Sequence, residues 1–393
     1  MDFRLTKAQQ EWRDEVRSFL EEVMTPEFRK DLRDSESGEL YRSDGEKEFW
    51  KKVAGRGWLG MNWPKEYGGL EMSAMDQLIM LREFARVGAP PLPLTVTSLV
   101  PTLIRFGTEA NKKEWIPKIA EGDAEFALGY SEPDSGTDLA SLQTRAVLDG
   151  DEWVINGQKI WNTHGHVATH EWLAVRTDPT APKHKGISVI IVPLDAPGVQ
   201  VTPIWTWGDM RTNQVFFTDV RVPVGNLIGE LNRGWYYIAS ALDLERVAIG
   251  AFTAELDTMF DDLVAYLKST TLDGDLIANR PDVRRELALI HRDLEIGNLF
   301  GLNTASMIDA GLVPNKEASM QKFYGSELRT RMTSWAMSAL GLQGQLLKGD
   351  PGAPLDGEIE STYRKAPPGR FGGGTNEVQR NIVAQRGLGM PRA

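Results

Sequence analysis

No cysteine occurs anywhere in this chain of 393 residues. Disulfides, thiolate nucleophiles and cysteine-ligated zinc are excluded together, and such a composition suits a reducing cytoplasm. Long apolar runs are missing as well. The most hydrophobic stretch, Leu94 to Ile104, is broken by Pro101 and falls short of the roughly 20 residues a spanning helix needs. The opening MDFRLTKAQQEWRDEV has acidic residues throughout and no apolar centre, unlike a secretory signal. Basic charge is in deficit: 44 Lys and Arg against 55 Asp and Glu leave −11, a poor overall field for gripping nucleic acid or an anionic membrane. A soluble, cytoplasmic protein that binds neither is the expectation.

Several familiar constellations are also missing. No GxGxxG opens a helix after a strand, and there is no P-loop, GxSxG elbow or HExxH. Histidine is scarce, with five in all, but His164, His166 and His170 fall close together. Three neutral imidazoles suit zinc. They suit a polar loop between two strands equally well, and with no cysteine to add a ligand no metal is expected.

What is present reads as an α+β chain. Apolar residues at 41% and charged residues at 25% are ordinary for a globular protein, and the length exceeds what one hydrophobic core usually serves. Thr6 and Gln9 form a capping box, after which Trp12, Val16, Phe19, Leu20 and Val23 share one helical face. A second helix starts near Ser73, turns Met75, Leu78, Ile79 and Phe84 inward, and stops at Gly88 before Pro90 and Pro91. A short one runs from Thr108 to about Ala120.

The texture changes near Asp123. Asp149-Gly150 and Asn156-Gly157 are hairpin-turn dipeptides flanking the run Glu152–Ile155, and further strands fit Trp172–Arg176, Ile187–Val192 and Val215–Val222. Helical periodicity returns at Gly234, with helices expected at about 235–268, 281–311, 315–340 and 375–388. Three domains follow: helical over 1–122, antiparallel β over 123–232 and a helical bundle over 233–393.

Four segments stand out chemically. The run FGGGTNEVQR at 371–380 leads three glycines into a helix capped by Thr375 or Asn376. Such an entry suits an anion, for instance a pyrophosphate, and suits a flexible hinge equally well. LDLER at 242–246 places Asp243, Glu245 and Arg246 among apolar neighbours, where Asp243 and Arg246 can pair on one helical face. Residues 130–138 form a loop dense in hydroxyls and turn formers after the first strand. Trp161 ends a strand, and the Thr163 hydroxyl lies two residues on, hence on the same side. A flat ring beside a hydroxyl suits a flavin; core packing and a capped turn explain the same residues.

In this order, GYSEPDSGTDLA at 129–140, NGQKIW at 156–161, DVRVP at 219–223 with NLIG at 226–229, and GGTNEVQR at 373–380 resemble the acyl-CoA dehydrogenase family. The resemblance covers essentially the whole chain and implies that family's fold: an N-terminal helical domain, a central antiparallel β domain and a C-terminal four-helix bundle. It implies FAD, with Leu128, Tyr130, Ser131 and Thr137 holding the flavin ring, Trp161 and Thr163 beside its reactive nitrogen, and Gly374, Thr375 and Glu377 towards the adenosine half. It further implies an acyl-CoA substrate and an electron-transfer flavoprotein as acceptor.

Two departures from the family pattern sharpen the expectation. Many members carry their catalytic base immediately before the Gly-Thr of the last motif, where this chain has Gly373. A minority place it on the first long bundle helix, and Glu245 matches that position, with Asp243, Arg246 and Gly373 then near the substrate. Homotetrameric members usually carry an Arg-x-x-Phe-Gly motif that reaches a neighbour's FAD; KSTTLDGDLI at 268–277 has none, and the glutamine of a second such segment is missing near Ser338 to Gly344. The pattern is similar to the base-carrying subunit of actinobacterial α2β2 enzymes of sterol side-chain breakdown, which pair with a second acyl-CoA dehydrogenase-like subunit. Rival expectations on the same fold are a flavin monooxygenase or nitroalkane oxidase, and a non-catalytic subunit that only completes a partner's FAD site.

Overall fold

The computed structural model of the chain describes residues 4–35, 43–244, 252–272 and 274–391. In chain order the helices α1 (Lys7–Val23), α2 (Pro26–Ser35), α3 (Asp44–Gly55), α4 (Ala74–Arg86), α5 (Val100–Phe106) and α6 (Glu109–Ala120) come first. Strands β1 (Phe126–Gly129), β2 (Arg145–Asp149), β3 (Glu152–Ile160), β4 (His170–Arg176), β5 (Ile187–Pro193), β6 (Val199–Trp205) and β7 (Arg211–Pro223) follow. Then come α7 (Gly234–Leu244), α8 (Phe252–Ser269), α9 (Pro281–Asp309), α10 (Asn315–Leu340), α11 (Glu358–Lys365) and α12 (Asn376–Ile382). The described residues fall into two compact units that do not follow chain order: Met1–Thr25, Ser73–Pro91 and Arg246–Ala393 make one, and Pro26–Met72 with Leu92–Glu245 the other.

The first unit is helical. Its α1 begins in the expected capping box, Thr6 with Gln9, and buries the five expected residues from Trp12 to Val23. A second box, Ser73 with Asp76, opens α4. The helix start is secured again from far along the chain, because the Asp309 carboxylate accepts from the backbone N–H groups of Ala74 (2.7 Å) and Met75 (3.1 Å). A carboxylate there satisfies orphan donors and meets the positive end of the helix dipole. Arg17 grips Glu83 through Nε and a second guanidinium nitrogen, joining α1 to α4. Leu256, Leu263 and Leu267 of α8, Ile290 and Leu294 of α9, Leu328 and Met332 of α10 and Ile359 of α11 share one apolar core.

The second unit is built on a sheet of seven strands. Pairings β2–β3, β3–β7, β6–β7 and β4–β5 are antiparallel. The sheet is nevertheless mixed, because β1 runs parallel to β4 and Arg145 on β2 pairs in parallel with Arg176 on β4. A parallel pair needs a long crossover, and the intervening β2–β3 hairpin supplies it. Strand β5 reads as an unbroken apolar run and is buried along nearly its whole length, consistent with cover on both faces. The core gathers Trp153, Ile155, Leu173, Val175, Ile190, Val192, Val215 and Phe217.

Two turn readings fare differently. Asp149-Gly150 turns the β2–β3 hairpin, with Asp149 facing Glu152 and Gly150 at φ +67°. Asn156-Gly157 is no turn. Strand β3 runs on to Ile160, with a register shift between Ile155 and Gly157 where it pairs with β7. Gly157 is needed there for close approach, since a Cβ would stand 2.6 Å from Thr144 Oγ1. The Asn156 side chain bonds across to Asp219 rather than closing a hairpin. Two strands that alternation did not single out are β2 and β6. Pro203 interrupts the β6 pattern and is tolerated because β6 lies at the edge of the sheet.

Candidate functional site

Within the β unit the sequence-named residues converge around two segments. Leu128 lies in β1, and Tyr130, Ser131 and Thr137 occupy the loop that follows. Trp161 and Thr163 follow β3. Main-chain bonding brings the segments together: Ile160 N donates to Ser131 O at 2.9 Å.

The loop is rigid because its centre is an ion pair in the protein interior. Glu132 accepts from Lys159 Nζ (2.8 Å), Gln143 N (2.6 Å) and Thr144 N (2.8 Å). The ammonium donates also to Tyr130 O at 3.1 Å. Lys159 is wholly inaccessible and Glu132 nearly so. Burial by itself raises the pKa of Glu132, but the ammonium and the donors outweigh it and hold the carboxyl below its ordinary range. Burial lowers the pKa of Lys159 while Glu132 opposes the fall. A lysine among inward-facing strand residues was the sequence signal for this pair, although it could not name the partner.

Trp161 departs from the expected geometry. Its φ is +66°, so it is no longer in an extended strand and the two-residue alternation that placed Thr163 beside it does not apply. Thr163 N instead donates back to Trp161 O at 3.0 Å, closing a tight turn. A bulky residue in left-handed backbone costs about 1–3 kcal/mol and persists only where its surroundings hold it. Those surroundings are Asn162, fully buried, which donates from N to Asn213 O (3.0 Å) and accepts at O from Asn213 Nδ2 (2.8 Å). The indole is thrown outward, 57% exposed. Among the described residues, the hydroxyls of Ser131, Thr137 and Thr163 make no hydrogen bond within the chain. An exposed aromatic plane among unengaged hydroxyls fits a planar, polar-edged ring such as a flavin.

The histidines are engaged in packing and local bonding. His170 packs edge-on to Trp115 with ring centres 4.8 Å apart, and its Nδ1 meets Thr169 Oγ1. His166 faces Asn213, and burial drops its pKa to about 4. Among the described residues no trio of His, Asp or Glu converges as a metal site.

In the helical unit, the loop before α12 is fixed. Lys322 of α10 donates to Gly374 O (2.7 Å), Asn376 Oδ1 (3.0 Å) and Arg370 O (3.2 Å), and Gln379 Nε2 to Gly373 O (3.0 Å). Thr375 is the N-cap and accepts from Val378 N at 3.2 Å. The hinge reading therefore fails. The helix begins as expected, Asn376–Ile382 continuing through a π-helical stretch at Val383–Gly387. Gly373 and Gly374 both take left-handed backbone, with φ +67° and +90°, and a Cβ on Gly373 would meet open space. Glu377 is exposed. Burial pulls Lys322 down to about 8, opposed by Glu377 and Glu327 and aided by Arg370. Lys322→Met is expected to cost about 1–3 kcal/mol by leaving buried acceptors unmatched. Denaturant melts, with faster amide exchange at 370–379, check it; an unchanged loop removes Lys322 from that role.

The proposed base lies beyond this geometry. Glu245 and Arg246 fall outside the described residues, and Asp243 lies in the last turn of α7 with its side chain likewise undescribed. The preceding turns are well anchored: Tyr237, Ile238 and Ala241 are buried, and Ala241 O accepts from Ser98 Oγ at 2.9 Å.

Comparisons with known proteins cover the whole chain. The family models "Acyl-CoA dehydrogenase, N-terminal domain", "middle domain" and "C-terminal domain" match residues 6–123, 127–220 and 232–388. Acyl-CoA dehydrogenase FadE26 of Mycobacterium tuberculosis is 42% identical over 401 residues, covering 100% of both chains. FadE29 of the same organism is 37% identical over 390 residues, covering 99% of this chain and 98% of its own. A solved structure described as the Tcur3481-Tcur3483 steroid ACAD superposes with a TM-score of 0.92 at 40% identity, and the ChsE4-ChsE5 complex from Mycobacterium tuberculosis with 0.91 at 41%. Each covers 100% of this chain and of its own.

Proposed function

Because the chain belongs to the acyl-CoA dehydrogenase family, as an oxidoreductase acting on acyl-CoA, we propose that it desaturates a steroid side-chain acyl-CoA at Cα–Cβ with Glu245 as the base. The observation that carries the substrate class is the full-length likeness to chains of a steroid acyl-CoA dehydrogenase at 40% identity. Glycine at 373, the place of the base in many relatives, supports the choice of Glu245. In this reading the chain keeps three domains, 1–122, 123–232 and 233–393.

Enzymes of this family are flavoproteins, and FAD when bound supplies the acceptor for the β-hydrogen as hydride. Leu128, Tyr130, Ser131, Thr137, Trp161 and Thr163 hold its ring, with Gly374, Thr375 and Glu377 serving the adenosine half. The buried Glu132–Lys159 pair keeps the first of these segments from moving. Glu245 takes the α-proton, while donors to the thioester oxygen stabilise the negative charge that develops there. Asp243, Arg246 and Gly373 line the substrate. The acceptor of the electrons is an electron-transfer flavoprotein.

A second acyl-CoA dehydrogenase-like subunit completes the assembly as α2β2; the likeness to a chain of the ChsE4-ChsE5 complex supports this. Co-expression with homologues encoded nearby should yield a complex holding about half a flavin per chain, as two shared sites in a symmetric tetramer require. Under anaerobic conditions a steroid side-chain CoA should bleach that flavin faster than a straight-chain acyl-CoA does. One flavin per chain in protein purified alone overturns the mixed assembly. No preference for the steroid overturns the substrate class, and oxygen consumption with turnover favours an oxidase or monooxygenase.

A further inference from the structure

A second buried polar group lies next to the same two segments, and no catalytic step needs it. Glu171 on β4 is fully buried at the end of an apolar face that continues through Leu173 and Val175. Its Oε1 accepts from Asn162 Nδ2, which donates also to Leu128 O at 3.0 Å. Asn162 is the residue whose backbone is clamped to Asn213 and whose neighbour Trp161 is held left-handed. Gly129 leaves the room: a Cβ there would overlap Glu171 Oε1.

We propose that Asn162 and Glu171 form a buried clasp that positions Trp161 and the segment beginning at Leu128 against the flavin ring, Glu171 being a positioning residue of that site. The inference rests on the flavin reading above for what is positioned, though not for the clasp itself. A carboxyl in an apolar interior is costly unless it is neutral and hydrogen-bonded. This one has a single bond, through Oε1, and that bond leads to the side chain that ties the turn at Trp161 to Leu128 O, apart from the Lys159 bond to Tyr130 O. Deleting it frees Asn162 to turn, and the strained backbone at Trp161 loses one of its restraints.

Ionisation gives an independent handle. Burial raises the Glu171 pKa from 4.5 to about 8, and Lys159 on β3 is the charge that opposes the rise. The folded chain therefore holds this proton more tightly than the unfolded one. The stability it contributes is complete below about pH 4.5 and is lost as pH rises through about 8. Glu171→Gln keeps an acceptor for Asn162 and does not titrate, so its melting temperature should fall less than that of the wild type across that window.

The test compares wild type, Glu171→Gln and Glu171→Leu, each co-expressed with its partner subunit. Glu171→Leu should weaken FAD binding about tenfold and change the visible circular dichroism of the bound flavin, while Glu171→Gln restores both, as expected for one buried hydrogen bond. Amide exchange on the flavin-free full chain should quicken about tenfold at residues 126–132 and 158–166 in Glu171→Leu only. Unchanged exchange in a folded Glu171→Leu overturns the clasp, as does equal loss in both variants. A wild-type complex that takes up no FAD overturns the flavin reading instead, and the exchange arm still decides the clasp.

Discussion

Glu245→Gln is expected to leave the flavin bound and to slow acyl-CoA turnover about a hundredfold or more, the usual contribution of a general base. The substitution is almost isosteric and removes only the ability to take a proton. Helix α7, which ends one residue earlier, is held by its buried residues Tyr237, Ile238 and Ala241 and by the Ser98 bond to Ala241 O. An α-proton of a thioester is weakly acidic, and donors to the carbonyl lower the barrier only if a base stands ready at the same moment. Gly373 carries no side chain to substitute for it. Stopped-flow reduction under anaerobic conditions, with flavin content read from absorbance, measures both quantities. A rate unchanged in the variant rejects Glu245 as the base. Loss of flavin in parallel with rate makes it a structural residue.

Glu132→Gln should do comparable damage by another route, unfolding the chain more readily and releasing the flavin. The carboxylate serves three donors; glutamine keeps one acceptor oxygen, sets an NH2 group where the other accepted, and removes the negative charge that balances the wholly inaccessible Lys159 ammonium. Breaking one side of a buried pair typically costs about 3–5 kcal/mol, because an uncompensated charge stays behind. Replacing both partners, Glu132→Gln with Lys159→Met, should recover part of that loss, since no lone charge then remains. Equal destabilisation of single and double variants would mean the two residues act independently. The wild type carries a matching acid signature. With its folded pKa held below the ordinary 4.5, Glu132 contributes stability that is complete above about that pH and disappears as acidification protonates the carboxylate.

Periodicity and capping chemistry made α1, α4, α6, α9 and α10 legible to within a few residues, while α2, α3, α5 and α11 were not singled out. Thr6 with Gln9 and Ser73 with a following acidic residue are local signals, and they work because a cap needs only neighbours three positions away. The glycine dipeptides were half legible. Asp149-Gly150 turns a hairpin, whereas Asn156-Gly157 bulges within one, a difference set by Thr144 and Asp219 across the sheet rather than by the dipeptide. The candidate site residues stood out through their motifs, but their geometry did not. Trp161 reads as the end of a strand until Asn213, 51 positions from Asn162, is seen to bend it. The stabilising pairs were hidden for the same reason: Lys159 finds Glu132 across 27 positions, and Lys322 reaches Gly374 across 52. A sequence displays a buried charge as an anomaly and leaves its partner to the fold.

The carboxylate of Asp309 that secures the start of α4 sets an order of events during synthesis. It lies 235 residues downstream of Ala74, so a growing chain must present α1 and α4 to the cell without it. The β unit draws only on segments that end at Glu245, and all of them have left the ribosome before α9 is made. Vectorial synthesis therefore favours a β unit that matures first, while the apolar stripes of α1 and α4 wait for the last third of the message. A nascent chain halted near residue 300 should be protease-resistant through its strands and readily cut in its first twenty residues, and chaperones should hold it there.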